Sequence, residues 1–512
     1  PNRDAILKPL IGLAKKINDI NAEIESSNDE IKHNFAHRFI LKKKQIGIAI
    51  YEASGIEADI IWDSNFTSPS QELTGKVTFY NTGNQTWDNL SLTLFGADVL
   101  DKKLVNMQSF KIAPGERKEI RVRLLVPENA TYHQPLGKNY EPFWDKEKFS
   151  CILGIDDLGE KVLLPANPVL VVPPVNLSWE ASGLFYNRLT DGDPIQAMLS
   201  VDKFTEINGN VEIGLEAPDG WTVTPPHYKI AKGQLPGSSQ YNFVITGPTN
   251  SDRLTLTPYA LADGQRVEEN VLMMDYEHIR NTCKVMPNTL AVQPIDLEIP
   301  ARLKVGFIDR GADRVNFWLE RFGVDVTSLS IDDLKTQDLS VYDTILIGIR
   351  AFRPDLNATS PLLRSYVENG GNLVTQYNRI DDDWNSETTP PRPITIGTPS
   401  FRWRITDPNA EVTYLKPDHH LLNAPNKIGE DDWKNWHQER GLYFPMEASS
   451  EYEFLLSMSD HGKPPLEGAL ISANIGNGWH HHCSLILHHQ LEHQVPGAAR
   501  LLANLITPPD WK

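Results

Sequence analysis

Apolar residues recur at steps of three and four from the start of the chain: Ile6, Leu10, Leu13, Ile17, Ile20 and Ile24. That spacing puts them on one stripe of an α-helix. "ESSNDE" (25–30) interrupts the stripe with capping residues, and the basic stretch "IKHNFAHRFILKKKQIGIAIYEA" resumes it. The pattern predicts a helical hairpin over 1–55, which needs a neighbour against which to bury its apolar face. From about 57 the period becomes two. In "KEIRVRLLVP" Ile120, Val122 and Leu124 share one face and Arg121 and Arg123 the other, with "NTGN" and "APGE" as turns. Strands of this kind fill 56–174 and again 175–299. "KIAPGE" at 111 and "KIAKGQ" at 229 mark a weak repeat, which predicts two antiparallel β-sandwiches (Ig-like) in tandem. "NPVLVVPPVNLSW" (167–179) reads as a Pro-stiffened linker between them.

From 300 to 512 the rhythm changes again. Continuous apolar strands ("RLKVGFID", "YDTILIGI", "NLVTQYN") alternate with helices ("RVNFWLERFG", "SPLLRSYVENGG"), which predicts an α/β domain with a mostly parallel sheet. An irregular insert spans about 380–450, and "PGAARLLANLI" closes the chain as a helix with Pro496 as its first residue.

In such a sheet ligands sit at the carboxyl ends of the strands. Those ends carry Asp309, Arg310 and Asp313; Arg350, Phe352 and Arg353; and Gln376, Asn378, Arg379, Asp381, Asp382 and Asp383. Of these, Asp309, Arg350, Gln376, Asn378 and Arg379 are candidate ligand-binding residues, against the plainer reading that charges merely solvate loop ends. "DDWKNWHQERGLYF" (431–444) adds Trp433, Trp436, Glu439 and Arg440, because indole faces beside charged groups are what a sugar-binding surface uses. The plainer reading there is a loop over the sheet edge. No Gly-rich phosphate loop follows the first strand, no G-x-S-x-G occurs, and no Cys falls at a predicted strand-to-helix turn, so nucleotide binding and Cys or Ser nucleophiles are set aside. His480 and His482 share a face of a strand, with His481 opposite. "HQLEH" (489–493) matches the inverted zincin pattern through His489 and His493, yet its position before Pro496 predicts a loop, where that pattern cannot work. "HNFAH" (33–37) has Asn34 where a catalytic Glu would stand. These four late imidazoles are candidates only; the expectation is no metal site and no catalytic residue in this chain.

A net charge of -18 argues against nucleic acid or an anionic membrane as partner and leaves a glycan or a cationic ligand. Three scattered cysteines exclude a disulfide framework. No apolar run is long enough to span a membrane. The opening "PNRDAILKPL" lacks an initiator Met, so the chain is expected to be a piece of something longer, and sandwich modules with few cysteines point to a bacterial periplasmic or extracellular setting.

"VVPPVNLSW", "APDGWTV", "YDTILIGIRAF", "YVENGGNLVTQYN", "WHQERGLYF" and "QVPGAARLLANLI", in this order along nearly the whole chain, resemble the C-terminal region of large bacterial PIG-L (LmbE-like) deacetylases. The resemblance implies that a separate N-terminal domain, with a zinc and an A-H-P-D-D-E motif absent here, hydrolyses N-acetylglucosamine-type substrates. It implies for the last domain a class I glutamine amidotransferase-like (ThuA-like) fold without the nucleophilic Cys, Gln376–Asn378 standing at the comparable strand end. The chain is then expected to serve substrate or glycan binding or assembly, with no cofactor of its own and that catalytic domain as its partner. The late histidines depart from the resemblance. Two alternatives of other classes stand beside it: a metal-dependent hydrolase built on those histidines, and a pure protein–protein interaction module.

Overall fold

The computed structural model describes residues 3–96, 105–134, 149–155, 160–190, 194–248, 252–278 and 281–511. Helices α1 (Arg3–Glu25) and α2 (Asp29–Ser54) form the expected hairpin. The Asn28 side chain caps α2 by accepting the Ile31 N–H at 3.0 Å, and Gly55 ends it with φ 77°. Only glycine takes that left-handed turn without strain. Leu7, Ala14, Ile17, Ile46 and Ile50 join the core of the β region that follows, which is the neighbour the stripe required. Ile6, Leu13, Leu41 and Ile48 remain exposed.

That β region pairs Ile56–Trp62, Glu72–Asn81 and Arg117–Leu125 in one antiparallel sheet, and Val105–Ile112, Trp87–Gly96, Phe149–Ile155 and Glu160–Leu163 in another. The predicted alternation holds: Val122 and Leu124 are buried while Arg121 and Arg123 face solvent. A second β region repeats the scheme. Val175–Trp179, Ile195–Lys203, Ser238–Thr246 and Thr222–Thr224 form one sheet; Gly183–Asn187, Leu290–Ile295, Leu254–Ala262, Val211–Glu216 and His227–Ile230 form the other. Gly183–Asn187 runs parallel to Leu290–Ile295, so this sheet is mixed. The expected linker is instead buried from Val171 to Leu177, and Phe66 stacks on Phe204 at 4.8 Å beside it. Prolines there are packed between the two β regions, because the apolar residues around them have a surface to cover.

The last region has a sheet of seven strands: β1 (Lys304–Ile308), β2 (Asp325–Ser328), β3 (Thr344–Ile347), β4 (Asn372–Gln376), β5 (Glu453–Phe454), β6 (Leu470–Ile475) and β7 (Gly478–Cys483), in the order β2-β1-β3-β4-β7-β6-β5. The strands from β2 to β7 in that order are parallel; β6 and β5 extend the edge antiparallel. Helices cover both faces. α3 (Val315–Arg321), α7 (Leu487–Glu492) and α8 (Pro496–Ile506) pack on Val305, Phe307, Leu346 and Val374. α4 (Ile331–Thr336), α5 (Pro354–Asn357) and α6 (Ser360–Glu368) pack on Ile345, Ile347 and Leu373. Strands buried on both sides explain the unbroken apolar runs. Among the described residues no helix is long and apolar enough to cross a membrane.

Candidate functional site

The order β2-β1-β3-β4 reverses direction at β1, and the loops leaving β1, β3 and β4 meet at one edge. Asp313, in the first loop, accepts the Val315 N–H at 3.1 Å and the Ile349 N–H at 2.7 Å, and so ties that loop to the end of β3. Its burial pushes the carboxyl up to about 6. Arg350 follows with φ 52°. Its N–H donates to the Tyr377 carbonyl at 3.0 Å, and its guanidinium makes two 3.2 Å bonds to Asp382. Arg353 reaches the same carboxylate at 3.2 Å, and the Arg379 N–H does so at 2.8 Å. One buried acid thus gathers two guanidinium groups and a backbone donor. Tyr443, brought in from the insert with φ 56°, lies 5.7 Å from Tyr377 and 6.0 Å from the Arg379 guanidinium. His488 stands 6.0 Å from Tyr377 on another side. Burial raises the Tyr377 phenol, with Asp313, Tyr443 and Glu439 adding to it, and burial also raises Glu439.

Non-glycine residues at positive φ cost about 1–3 kcal/mol each and gather where a structure holds side chains for a purpose. Arg350, Asp383 and Tyr443 are three such residues on one edge. The Arg379 Nε and His488 Nδ1 atoms beside them are buried without a partner among the described residues. Nothing in the sequence marks Tyr443 or His488 for this place; the positive φ of a Tyr has no residue signature, and the insert returns to the edge only through tertiary packing.

Several expected ligand residues are elsewhere or turned inward. Gln376 and Asn378 are buried. The Asn378 amide accepts the Phe352 N–H at 3.4 Å and donates to the Gln376 carbonyl at 2.9 Å, bracing one strand end against the next. Asp309 is exposed, accepts the Gly311 N–H at 2.6 Å, and with Arg310, Ser330 and Asp332 lines a depression of about 420 Å³. Trp433 and Trp436 are corrections to the sugar-stacking expectation: both lie in the core. The Trp433 indole donates to the Tyr414 hydroxyl at 2.7 Å and that of Trp436 to the Asp432 carbonyl at 3.0 Å. Arg440 is buried against them, 5.7 and 5.2 Å from the two rings, donates to the Trp433 carbonyl at 2.6 Å, and is pulled down to about 10 by desolvation. It clamps the insert to the core and faces no solvent that a ligand could replace.

The late histidines are buried as well. His480 is bonded through one ring nitrogen to Thr375 at 2.9 Å and through the other to Tyr452 at 2.7 Å, and His482 meets the same Thr375 hydroxyl at 2.9 Å. His481, on the opposite face, pairs with Ser472 at 2.9 Å. Desolvation holds all three far below the ordinary imidazole range, His482 at about 3. "HQLEH" runs along the end of helix α7 from His489 to Glu492, with His493 as the residue that caps it, where a loop was expected. Its acid is not aimed at an ion between the imidazoles: Glu492 accepts from Arg314 at 2.7 Å and from the Trp318 indole at 3.1 Å. His489 and His493 pack with His437, the last two stacked ring on ring at 4.0 Å. Among the described residues no group of three His, Cys, Asp or Glu has the geometry to hold a metal ion. All three cysteines are buried, and burial pushes the Cys483 thiol, inside β7, up to about 12.

No family model and no curated protein matches the chain. Three solved structures similar to parts of the chain give faint likenesses. A protein of unknown function from Porphyromonas gingivalis W83 is 11% identical with a TM-score of 0.15, covering 47% of this chain and 99% of its own. The E. coli alpha-2-macroglobulin in its native conformation gives 11% and 0.17, over 46% of this chain and 17% of its own. The Pseudomonas fluorescens alkylpurine DNA glycosylase AlkC, bound to DNA containing an abasic site analog, gives 11% and 0.16, over 32% and 46%. Likenesses at this level carry no argument about fold or function.

Proposed function

We propose that this chain is the glycan-binding accessory region of a PIG-L-like N-acetyl-sugar deacetylase and has no catalytic centre of its own. In this reading its β regions are immunoglobulin-like sandwiches and its last region is an amidotransferase-like (ThuA-like) domain that has become a binding module. Its partner is the zinc-bearing N-terminal domain of such a deacetylase. The observation that carries the reading is the end of β4. There Gln376, Tyr377 and Asn378 offer two amides and a phenol, all buried: Asn378 braces neighbouring strand ends, the Gln376 amide donates to the Ile347 carbonyl at 3.5 Å, and the Tyr377 ring packs against Tyr443. The residues of this chain do not fit the family's zinc: both ring nitrogens of His480 are engaged and Glu492 is bound to Arg314 and Trp318. What the edge does offer is recognition: the half-buried guanidinium groups of Arg350 and Arg379 donate to sugar oxygens, and the Tyr443 ring covers the apolar face of a pyranose.

Isothermal titration of the purified chain with N-acetylglucosamine oligosaccharides tests this. Binding should weaken by about tenfold or more in Arg379→Ala and in Tyr443→Ala. Titration without heat, or with the same affinity in both variants, would sink the reading.

A further inference from the structure

A second concavity lies where the second β region meets the α/β region. It is a cleft of about 490 Å³, within the range of small-ligand sites, and such sites favour domain junctions. Leu184, Phe185 and Ile195 line one wall and Trp318, Glu320 and Phe322 the other. Phe185 sits 5.5 Å from Trp318 at 80°, edge to face, and 5.4 Å from Phe322 at a tilt of 58°; Phe185 and Phe322 stay half-buried at the cleft.

The walls are held at a fixed separation. Arg314 on one side donates to the Glu180 carbonyl at 3.0 Å on the other, and Ser182 donates to the Glu492 carbonyl at 2.9 Å. Arg188 pairs with Asp296 at 2.8 Å, whose carbonyl accepts from Arg500 at 2.6 Å. A cleft built this way exists before its ligand arrives.

Its polar groups are mostly spent. The Asn187 side chain donates to the Leu297 carbonyl at 2.9 Å and accepts the Leu189 N–H at 3.2 Å. The Gln196 oxygen accepts from Asn242 at 2.8 Å. Arg321 also lines the cleft, but it pairs with Glu180 at 2.9 Å and lies 3.7 Å over the Phe317 ring, so its charge is compensated. Glu320 is different. It is exposed and makes no ion pair or side-chain hydrogen bond among the described residues. The uncompensated charge of the cleft is therefore one carboxylate beside aromatic rings, in a chain of net charge -18. Aromatic faces and a carboxylate together select a cation carried on a compact, partly apolar body.

We propose that this cleft binds an amine-bearing sugar ring, its ammonium against Glu320 and its C–H face against Phe185 and Phe322. The choice of a sugar over another amine rests on the accessory reading above. The cleft would then hold deacetylated residues of a glycan while acetylated ones occupy the sheet edge, so that the chain tracks a partly processed polymer.

The test is titration with glucosamine oligosaccharide and, separately, its N-acetylated counterpart, below the pKa of the amine. The amine form should bind wild-type chain and lose about tenfold or more in Glu320→Gln, which is exposed and leaves the core intact. Thr190→Trp at the rim, which fills the cleft and gives up only the Thr190 hydroxyl's 3.1 Å bond to the Asn187 carbonyl, should block the amine form. Neither change should alter binding of the N-acetylated form. Equal affinity of the amine form for wild type and Glu320→Gln, or no binding of the amine form at all, would overturn the cleft assignment. Loss of N-acetylated binding in Arg379→Ala alone would still support the edge, so the two proposals fail separately.

Discussion

The stretch 431–444 and the junction cleft hold the same kinds of side chain in opposite situations. In the first, Trp433, Trp436 and Arg440 face inward, their polar atoms bonded to Tyr414, Asp432 and backbone carbonyls. In the second, Phe185 and Phe322 stay partly open beside an unpaired Glu320. Composition alone favours the first as a ligand surface. What decides is what covers it: the insert folds back on the sheet and buries its indoles, whereas the junction leaves a gap between two rigid walls. The histidines of β7 repeat the lesson, being rich in chemistry by type and sealed by position.

If the sealed side is as described, acid should act on it most. A histidine kept neutral by burial has its pKa depressed, so it contributes stability above the unfolded value of about 6.5 and loses it as pH falls, because only the unfolded chain can take up the proton. His480, His481 and His482 are all fully buried with lowered pKa. Three such groups make a slope of about 4 kcal/mol per pH unit below about 6.5. Asp313 works the other way: its raised carboxyl loses stability as pH rises from about 4 to about 6, but it is one group against three. Urea unfolding at a series of pH values should show stability of the α/β region collapsing on acidification from neutral to mildly acidic. A flat profile there would mean the imidazoles are open to water and the contrast with the cleft is false.

A smaller effect separates the two aromatic groups directly. Trp436→Ala should cost about 3–5 kcal/mol, the range for emptying a buried aromatic site. Phe322→Ser at the cleft should cost less. Equal losses in urea unfolding would show that the two regions are packed alike.

Smaller again is Asp313→Asn. The carboxylate accepts two backbone N–H groups; an amide can accept only one side of that pair and turns an N–H toward the other. The loss should be about 1–3 kcal/mol, read from the same unfolding curves. An unchanged midpoint would remove Asp313 as the tie between the β1 loop and the end of β3.

Where local periodicity governs, the chain is readable. The hairpin, the alternating strands and the strands of the parallel sheet stand where Ile17, Val122 and Leu346 place them, because burial of one face or both leaves its period in the residues. Proline and histidine mislead for a physical reason. Pro173 and Pro174 stiffen the chain whether it is exposed or buried, and only the neighbours at Val271 and Phe204 decide which. His480–His482 look like ligands until Thr375, Tyr452 and Ser472, far away in sequence, supply their hydrogen bonds. Arg350 and Arg379 were visible as strand-end residues, while Tyr443 and the junction cleft depend on contacts between regions, which no local pattern records.

The central claim is that this chain binds a glycan without transforming it. The most direct measurement is acetate released from N-acetylglucosamine oligosaccharide at saturating concentration by the purified chain. Release at the level of buffer alone, under conditions where calorimetry shows the oligosaccharide bound, is the predicted result. Turnover on the order of one per second, an ordinary enzymatic rate, that disappears in His480→Ala would contradict it.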